Sequence, residues 1–146
     1  MKIIPINRDD ALKYWPVLTP YFEKAMVHGQ GESTLADYMS KILTHRAQCW
    51  VLLNEQGQIV GAAVTEFIQY MQHKTLHILA YGGGDFEEQS KVFPTVIEYA
   101  KANGCKAIEQ WGRDGWAKVL PKYVPGFKKA YTVMVMDLGD TNNETK

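Results

Sequence analysis

Apolar residues recur along this chain with two different periods, and the change comes near Gln48. Before it, Ile3, Ile4 and Ile6 form a short apolar run that reads as a strand, and Asp9 or Asp10 can cap a helix carrying Leu12, Trp15 and Leu18 at helical spacing. Pro16 and Pro20 interrupt that pattern, and Thr19 before Pro20 has the form of an N-cap with proline at the first helical position. The reading is therefore a break and a second helical piece over 20–27. Thr34 with Asp37 three residues on is a capping-box pattern with Asp in place of Glu, opening a helix through Leu35, Tyr38, Met39, Ile42 and Leu43.

After Gln48 the apolar runs shorten and turn residues separate them. Residues 49–53 and 59–70 read as a hairpin around Asn54-Glu55-Gln56-Gly57, and 75–81 as a further strand. Three glycines, Gly82, Gly83 and Gly84, lead into a helix over 86–103 with a stripe of Val92, Phe93, Val96, Ile97 and Ala100 and a stop at Gly104. Pro94 inside that stripe either kinks the helix or marks a later start near Phe93. A strand over 106–111, a helix over 114–123 and a last strand over 128–138 complete one domain, 1–138, with a polar tail at 139–146.

Composition narrows the function classes. The 146 residues are 46% apolar and 22% charged with zero formal net charge, so a general electrostatic grip on nucleic acid or an anionic membrane is not expected. The basic cluster Lys118, Lys122, Lys128 and Lys129 reads as a solvated face. Cys49 and Cys105 lie far apart without metal-ligand spacing, which reads as free thiols and no metal. The apolar start is too short for a signal peptide and no segment has membrane-spanning length, so the expected location is cytoplasmic.

The glycine turn carries the sharpest chemistry. A strand, a glycine turn and a helix N-terminus make a phosphate cradle, because backbone amides and the helix dipole face the anion. Here Asp85, Glu87 and Glu88 place negative charge at the same spot, and Asp85 with Glu88 has the form of an internal cap. The alternative is a tight strand-to-helix turn with no ligand.

The order strand, two helices, three strands, glycine turn, helix, strand, helix, strand resembles the GCN5-related N-acetyltransferases over nearly the whole chain. At motif level the resemblance is to small acetyltransferase-like proteins of tailed bacteriophages. It is carried by Gly82-Gly83-Gly84, by Glu98-Tyr99-Ala100-Lys101-Ala102-Asn103-Gly104-Cys105, and by Gly112-Arg113-Asp114-Gly115-Trp116-Ala117-Lys118-Val119-Leu120-Pro121. The resemblance implies an α/β (α+β) fold with a mixed, mostly antiparallel central sheet flanked by helices, and acetyl-CoA as co-substrate. It implies that backbone groups of Leu79, Ala80 and Tyr81 meet the pantetheine arm and that Gly82, Gly83 and Gly84 meet the pyrophosphate. The turn lacks the Gln or Arg of the family's Q/R-x-x-G-x-G/A consensus.

Amine acylation needs a base for the amine and an acid for the departing thiolate. Glu66 and His77 are the base candidates. Tyr123, in Leu120-Pro121-Lys122-Tyr123-Val124-Pro125-Gly126-Phe127, is an acid shifted from the family's L-Y-x-x-x-G-F position. Strand alternation places Thr75, His77, Leu79 and Tyr81 on one face and Leu76, Ile78 and Ala80 on the other. Asp114 and Ala117 match the family's N-x-x-A pattern with Asp for Asn, and Trp116 with Val119 and Leu120 forms a packing face. Two readings follow. One is a phage-type N-acyltransferase acting on a small-molecule or protein amine in the host cytoplasm. The other is a degenerate member serving as a virion, assembly or host-interaction scaffold through Trp111 and Arg113. An open sheet edge offers a surface for a homodimer.

Overall fold

A computed structural model of the chain describes residues 1–27, 31–111 and 114–139. The expectations for Arg113, the Trp116 side chain and residues 140–146 fall outside the described parts. The elements are β1 (Lys2–Ile6), α1 (Arg8–Met26), α2 (Leu35–Leu43), β2 (Gln48–Leu53), β3 (Ile59–Gln69), β4 (Lys74–Gly82), α3 (Phe86–Ser90), α4 (Phe93–Ala102), β5 (Ala107–Gln110) and α5 (Asp114–Tyr123). The strands form one sheet in the order β1-β2-β3-β4-β5, antiparallel except for the parallel β4–β5 pair.

Where elements differ from the sequence reading, a local hydrogen bond or a packing demand decides. α1 is one helix of 19 residues containing both Pro16 and Pro20. The Pro16 carbonyl, which loses its usual donor because residue 20 has no N–H, accepts from Thr19 Oγ1 at 3.4 Å. Both prolines are exposed, while Ala11, Leu18 and Phe22 are buried on the inner face; Leu12 is exposed. Asn7, not Asp9 or Asp10, caps the helix by accepting from the Asp10 amide at 2.8 Å. The Thr34–Asp37 capping box of α2 has both of its bonds.

The expected helix over 86–103 is two pieces. α3 stops at Ser90, and α4 starts anew at Phe93 with Pro94 in its first turn, where a missing N–H has no consequence. The expected last strand over 128–138 is absent: these residues carry no helix or strand assignment and join no ladder of the sheet. A strand exists only through a neighbour's backbone, and β5 receives none on its outer side among the described residues.

Two cores flank the sheet. On one face, Trp50, Leu76, Ile78, Tyr81, Phe93, Val96, Leu120 and Val124 pack together under α4 and α5. On the other, Leu18, Phe22, Tyr38, Val51, Val64 and Ala80 pack under α1 and α2.

Candidate active site

The site is organised by a bulge in β4. Val64 pairs with Ala80 and Thr65 with Ile78, so Leu79 is an extra residue opposite that step. The insertion reverses the alternation beyond it. Tyr81 thus joins Leu76 and Ile78 in the α4-side core while Ala80 belongs to the α1-side core, correcting the face assignment made from strict period-two reading. Tyr81 stacks on Phe93 at 5.9 Å and donates to the Gln89 carbonyl at 3.2 Å. Burial raises its phenol pKa well above the ordinary tyrosine range.

The same region is where β4 and β5 part. Their parallel register runs from Thr75↔Ala107 to Ile78↔Gln110 and ends there, whereas β4 continues to Gly82. Among the described residues, 80–82 therefore pair with β3 alone, and Leu79 sits in the bulge. The Leu79 carbonyl, displaced by the bulge, accepts from the Tyr38 hydroxyl of α2 at 3.4 Å.

On the α2 side of the sheet, polar groups from four elements converge just before this opening. Glu66 on β3 and His77 on β4 are direct cross-strand partners. One Glu66 oxygen lies 2.6 Å from Lys41 Nζ of α2 and the other 3.2 Å from His77 Nδ1. A carboxylate only accepts, so the Nδ1 proton of His77 points to Glu66 and a neutral ring keeps its lone pair on Nε2. His77 is buried, and its ring packs 4.3 Å from the indole of Trp111. Trp111 donates to Glu109 at 2.9 Å, and Glu109 also accepts the Tyr70 hydroxyl at 2.5 Å. That bond pushes the Tyr70 pKa up to about 12.

Sequence reading singled out Glu66, His77 and Trp111, and the fold brings them together. It missed Lys41, Tyr38, Tyr70 and Glu109. Lys41 follows Tyr38 by one helical step on α2, a spacing that identifies neighbours on a helix but not what they face.

Tyr123 is elsewhere. It ends α5 on the α4-side core, with its ring 5.7 Å from Phe86, the first residue of α3. The glycine turn between β4 and α3 is held by packing. A Cβ on Gly82 would lie 2.6 Å from the Tyr21 carbonyl oxygen, and one on Gly83, at φ +127°, only 2.4 Å from that of Val60. Gly84, at φ +44°, has open space around it. Asp85 accepts from the Glu87 amide at 3.0 Å, so the turn caps itself. Glu88, expected to complete that cap, instead pairs with Lys91 at 2.7 Å, which lowers its pKa. A cavity of about 400 Å³ opens between the turn and the second half of α1, lined by Tyr21, Glu23, Lys24, Val27, Gly83 and Gly84 among others. Among the described residues no group of three His, Cys, Asp or Glu is placed to hold a metal, and no helix is long and apolar enough to cross a membrane.

No protein-family model and no curated protein matches the sequence. Solved structures do match. A tetramutant of the BH1408 protein from Bacillus halodurans is 18% identical with TM-score 0.67, over 94% of this chain and 100% of that one. The aminoglycoside acetyltransferase meta-AAC0020 from an uncultured soil metagenomic sample, in complex with trehalose, is 13% identical with TM-score 0.68, over 93% and 95%. Glucosamine-6-phosphate N-acetyltransferase from Arabidopsis thaliana is 15% identical with TM-score 0.60, over 92% and 97%. At such identities the likeness is one of architecture, and this chain has the fold of the GCN5-related N-acetyltransferases.

Proposed function

We propose that this protein is an acyl-CoA-dependent N-acyltransferase that uses the divergence of β4 from β5 as its co-substrate slot. The observation that carries the reading is the end of β4–β5 pairing at Ile78–Gln110 beside the Glu66–His77 pair. Backbone groups of Leu79, Ala80, Tyr81 and Gly82, unpaired toward β5, fit an amide-bearing pantetheine arm, which adds to a strand edge by backbone hydrogen bonds. At the pyrophosphate end, Gly83 and Gly84 border an open cavity and Lys24 offers a cation, while Asp85 and Glu87 oppose the anion. Acetyl-CoA would supply the activated thioester.

The chain's own groups divide the remaining work. His77 Nε2 accepts the amine proton, and Glu66 orients the imidazole through Nδ1 while Lys41 balances its charge. Tyr123 approaches from the opposite sheet face, beside Phe86, and returns a proton to the leaving thiolate. A slot between two strands is open to both faces, so base and acid need not share one. The acceptor is an amine on a small molecule or a protein, and a phage origin rests on the motifs over 112–121 and 98–105.

A second reading, a non-catalytic scaffold of a virion or of host interaction, is favoured by the self-capped turn and by exposed Trp111. Thermal unfolding with CoA or acetyl-CoA decides between the two. Ligand at about one hundred times its dissociation constant adds about 2.7 kcal/mol of stability, so a clear rise in Tm supports the enzyme. An unchanged Tm at millimolar ligand supports the scaffold.

A further inference from the structure

Glu109 is a carboxylate with hydrogen bonds but no counter-charge. Its two oxygens accept from the Tyr70 hydroxyl and from the Trp111 indole N–H, both neutral donors, and no cationic side chain pairs with it among the described residues. A carboxylate offers about four acceptor positions, so about two stay open here. Glu109 is half-buried on β5, and the groups around it are aromatic: Trp111 is 60% and Tyr70 36% exposed, with Tyr131 beside the Tyr70 hydroxyl. Aromatic rings around a carboxylate that lacks a counter-charge select an ammonium, through cation–π attraction and charge-assisted hydrogen bonds together.

This cluster adjoins the proposed base. Glu66, His77 and Glu109 stand in one row across β3, β4 and β5. His77 is buried with the Trp111 indole against its ring, so an amine coming to the imidazole from the β5 side meets Trp111 and Glu109 first. Within the row Lys41 balances Glu66, which leaves the charge of Glu109 unmatched. We propose that Glu109, Trp111 and Tyr70 bind the non-reacting ammonium of a small diamine acceptor while its other nitrogen gives a proton to His77 Nε2. The assignment deepens the acyltransferase reading and rests on it. Adjacent strands are about 4.8 Å apart, so the two nitrogens are separated by roughly 5 Å, the span of a short diamine such as 1,3-diaminopropane. A monoamine fills one end only. An acceptor carrying a phosphate is opposed by the same carboxylates.

Calorimetric titration of the native protein near neutral pH and at low salt is expected to show 1,3-diaminopropane binding about tenfold or more tighter than propylamine, with no binding of O-phosphoethanolamine. In nitrogen-15 spectra the diamine should shift the Trp111 indole N–H signal. Glu109→Gln, folded by circular dichroism, should bring the diamine to within about twofold of propylamine. The native-protein measurements need no variant to fold. Equal binding of the two amines, a diamine preference that survives Glu109→Gln, O-phosphoethanolamine binding as tightly as the diamine, or an unmoved indole signal would each overturn the site. Thiol release from acetyl-CoA separates this result from the fate of the enzyme reading. Glu109-dependent diamine binding without thiol release from any amine keeps the ammonium site and ends the acyltransferase reading. Thiol release with equal binding of both amines does the reverse.

Discussion

The two ends of β4 carry polar groups of opposite kinds. At Glu66–His77 the partners come from α2, β3, β4 and β5, separated by 11 to 25 residues where they bond directly, and they are held half-buried or buried. At the glycine turn the partners are local: Asp85 bonds two residues on and Glu88 three residues on, all in the open. A local cap explains itself as a device for starting a helix. A charged pair buried from distant elements does not, because desolvating it is costly and an apolar pair would fill the same space at least as well. The convergent end is thus the stronger candidate for chemistry, and the turn for architecture.

The largest effect that would break this contrast is on turnover. His77→Ala and Glu66→Gln should each lower kcat by about 10² to 10⁴ with the fold intact by circular dichroism, the range for losing a general base or its orienting partner. Normal turnover in both would move the chemistry away from this end. Next comes a stability contrast inside the turn. Gly83→Ala should destabilise by about 3 kcal/mol or more in urea melts, since a Cβ meets the Val60 carbonyl oxygen at 2.4 Å. Gly84→Ala, with only its positive φ against it, should cost about 1 kcal/mol.

A pH series sharpens the distinction between buried and exposed groups. Burial pushes the Cys49 thiol from its ordinary value near 9 up to about 12. The folded state then keeps a proton that the unfolded chain releases, so this contribution is whole below pH 9 and is lost as pH rises toward 12. The expected slope is about 1.4 kcal/mol per pH unit. Cys49→Ala should remove the part of the decline that begins near pH 9, leaving the later part from tyrosines such as Tyr81. The smallest effect is at the turn's charge. Asp85→Asn with Glu87→Gln should tighten CoA binding about tenfold by calorimetry, because the two carboxylates near a pyrophosphate together cost about 1.4 kcal/mol.

Legibility in the sequence follows the same division. The Thr34–Asp37 box, the β2–β3 hairpin and the start of α4 near Phe93 were readable because their determinants lie within a few residues. The continuity of α1 through Pro16 and Pro20 was not, since it depends on those prolines facing water and on Thr19 reaching the freed carbonyl. The face of Tyr81 was misread because a single extra residue at Leu79 is invisible to period-two counting. The strand expected over 128–138 was wrong, because an apolar composition does not make a strand without a neighbouring backbone and none pairs with it among the described residues. Lys41 and Glu109 joined the site only through tertiary contact.

The central claim is that the free edge of β4 beyond Ile78 receives an acyl-CoA. Amide hydrogen exchange of the native protein with and without millimolar acetyl-CoA tests it directly. The account predicts added protection concentrated in residues 79–84. Unchanged exchange across those residues would contradict it.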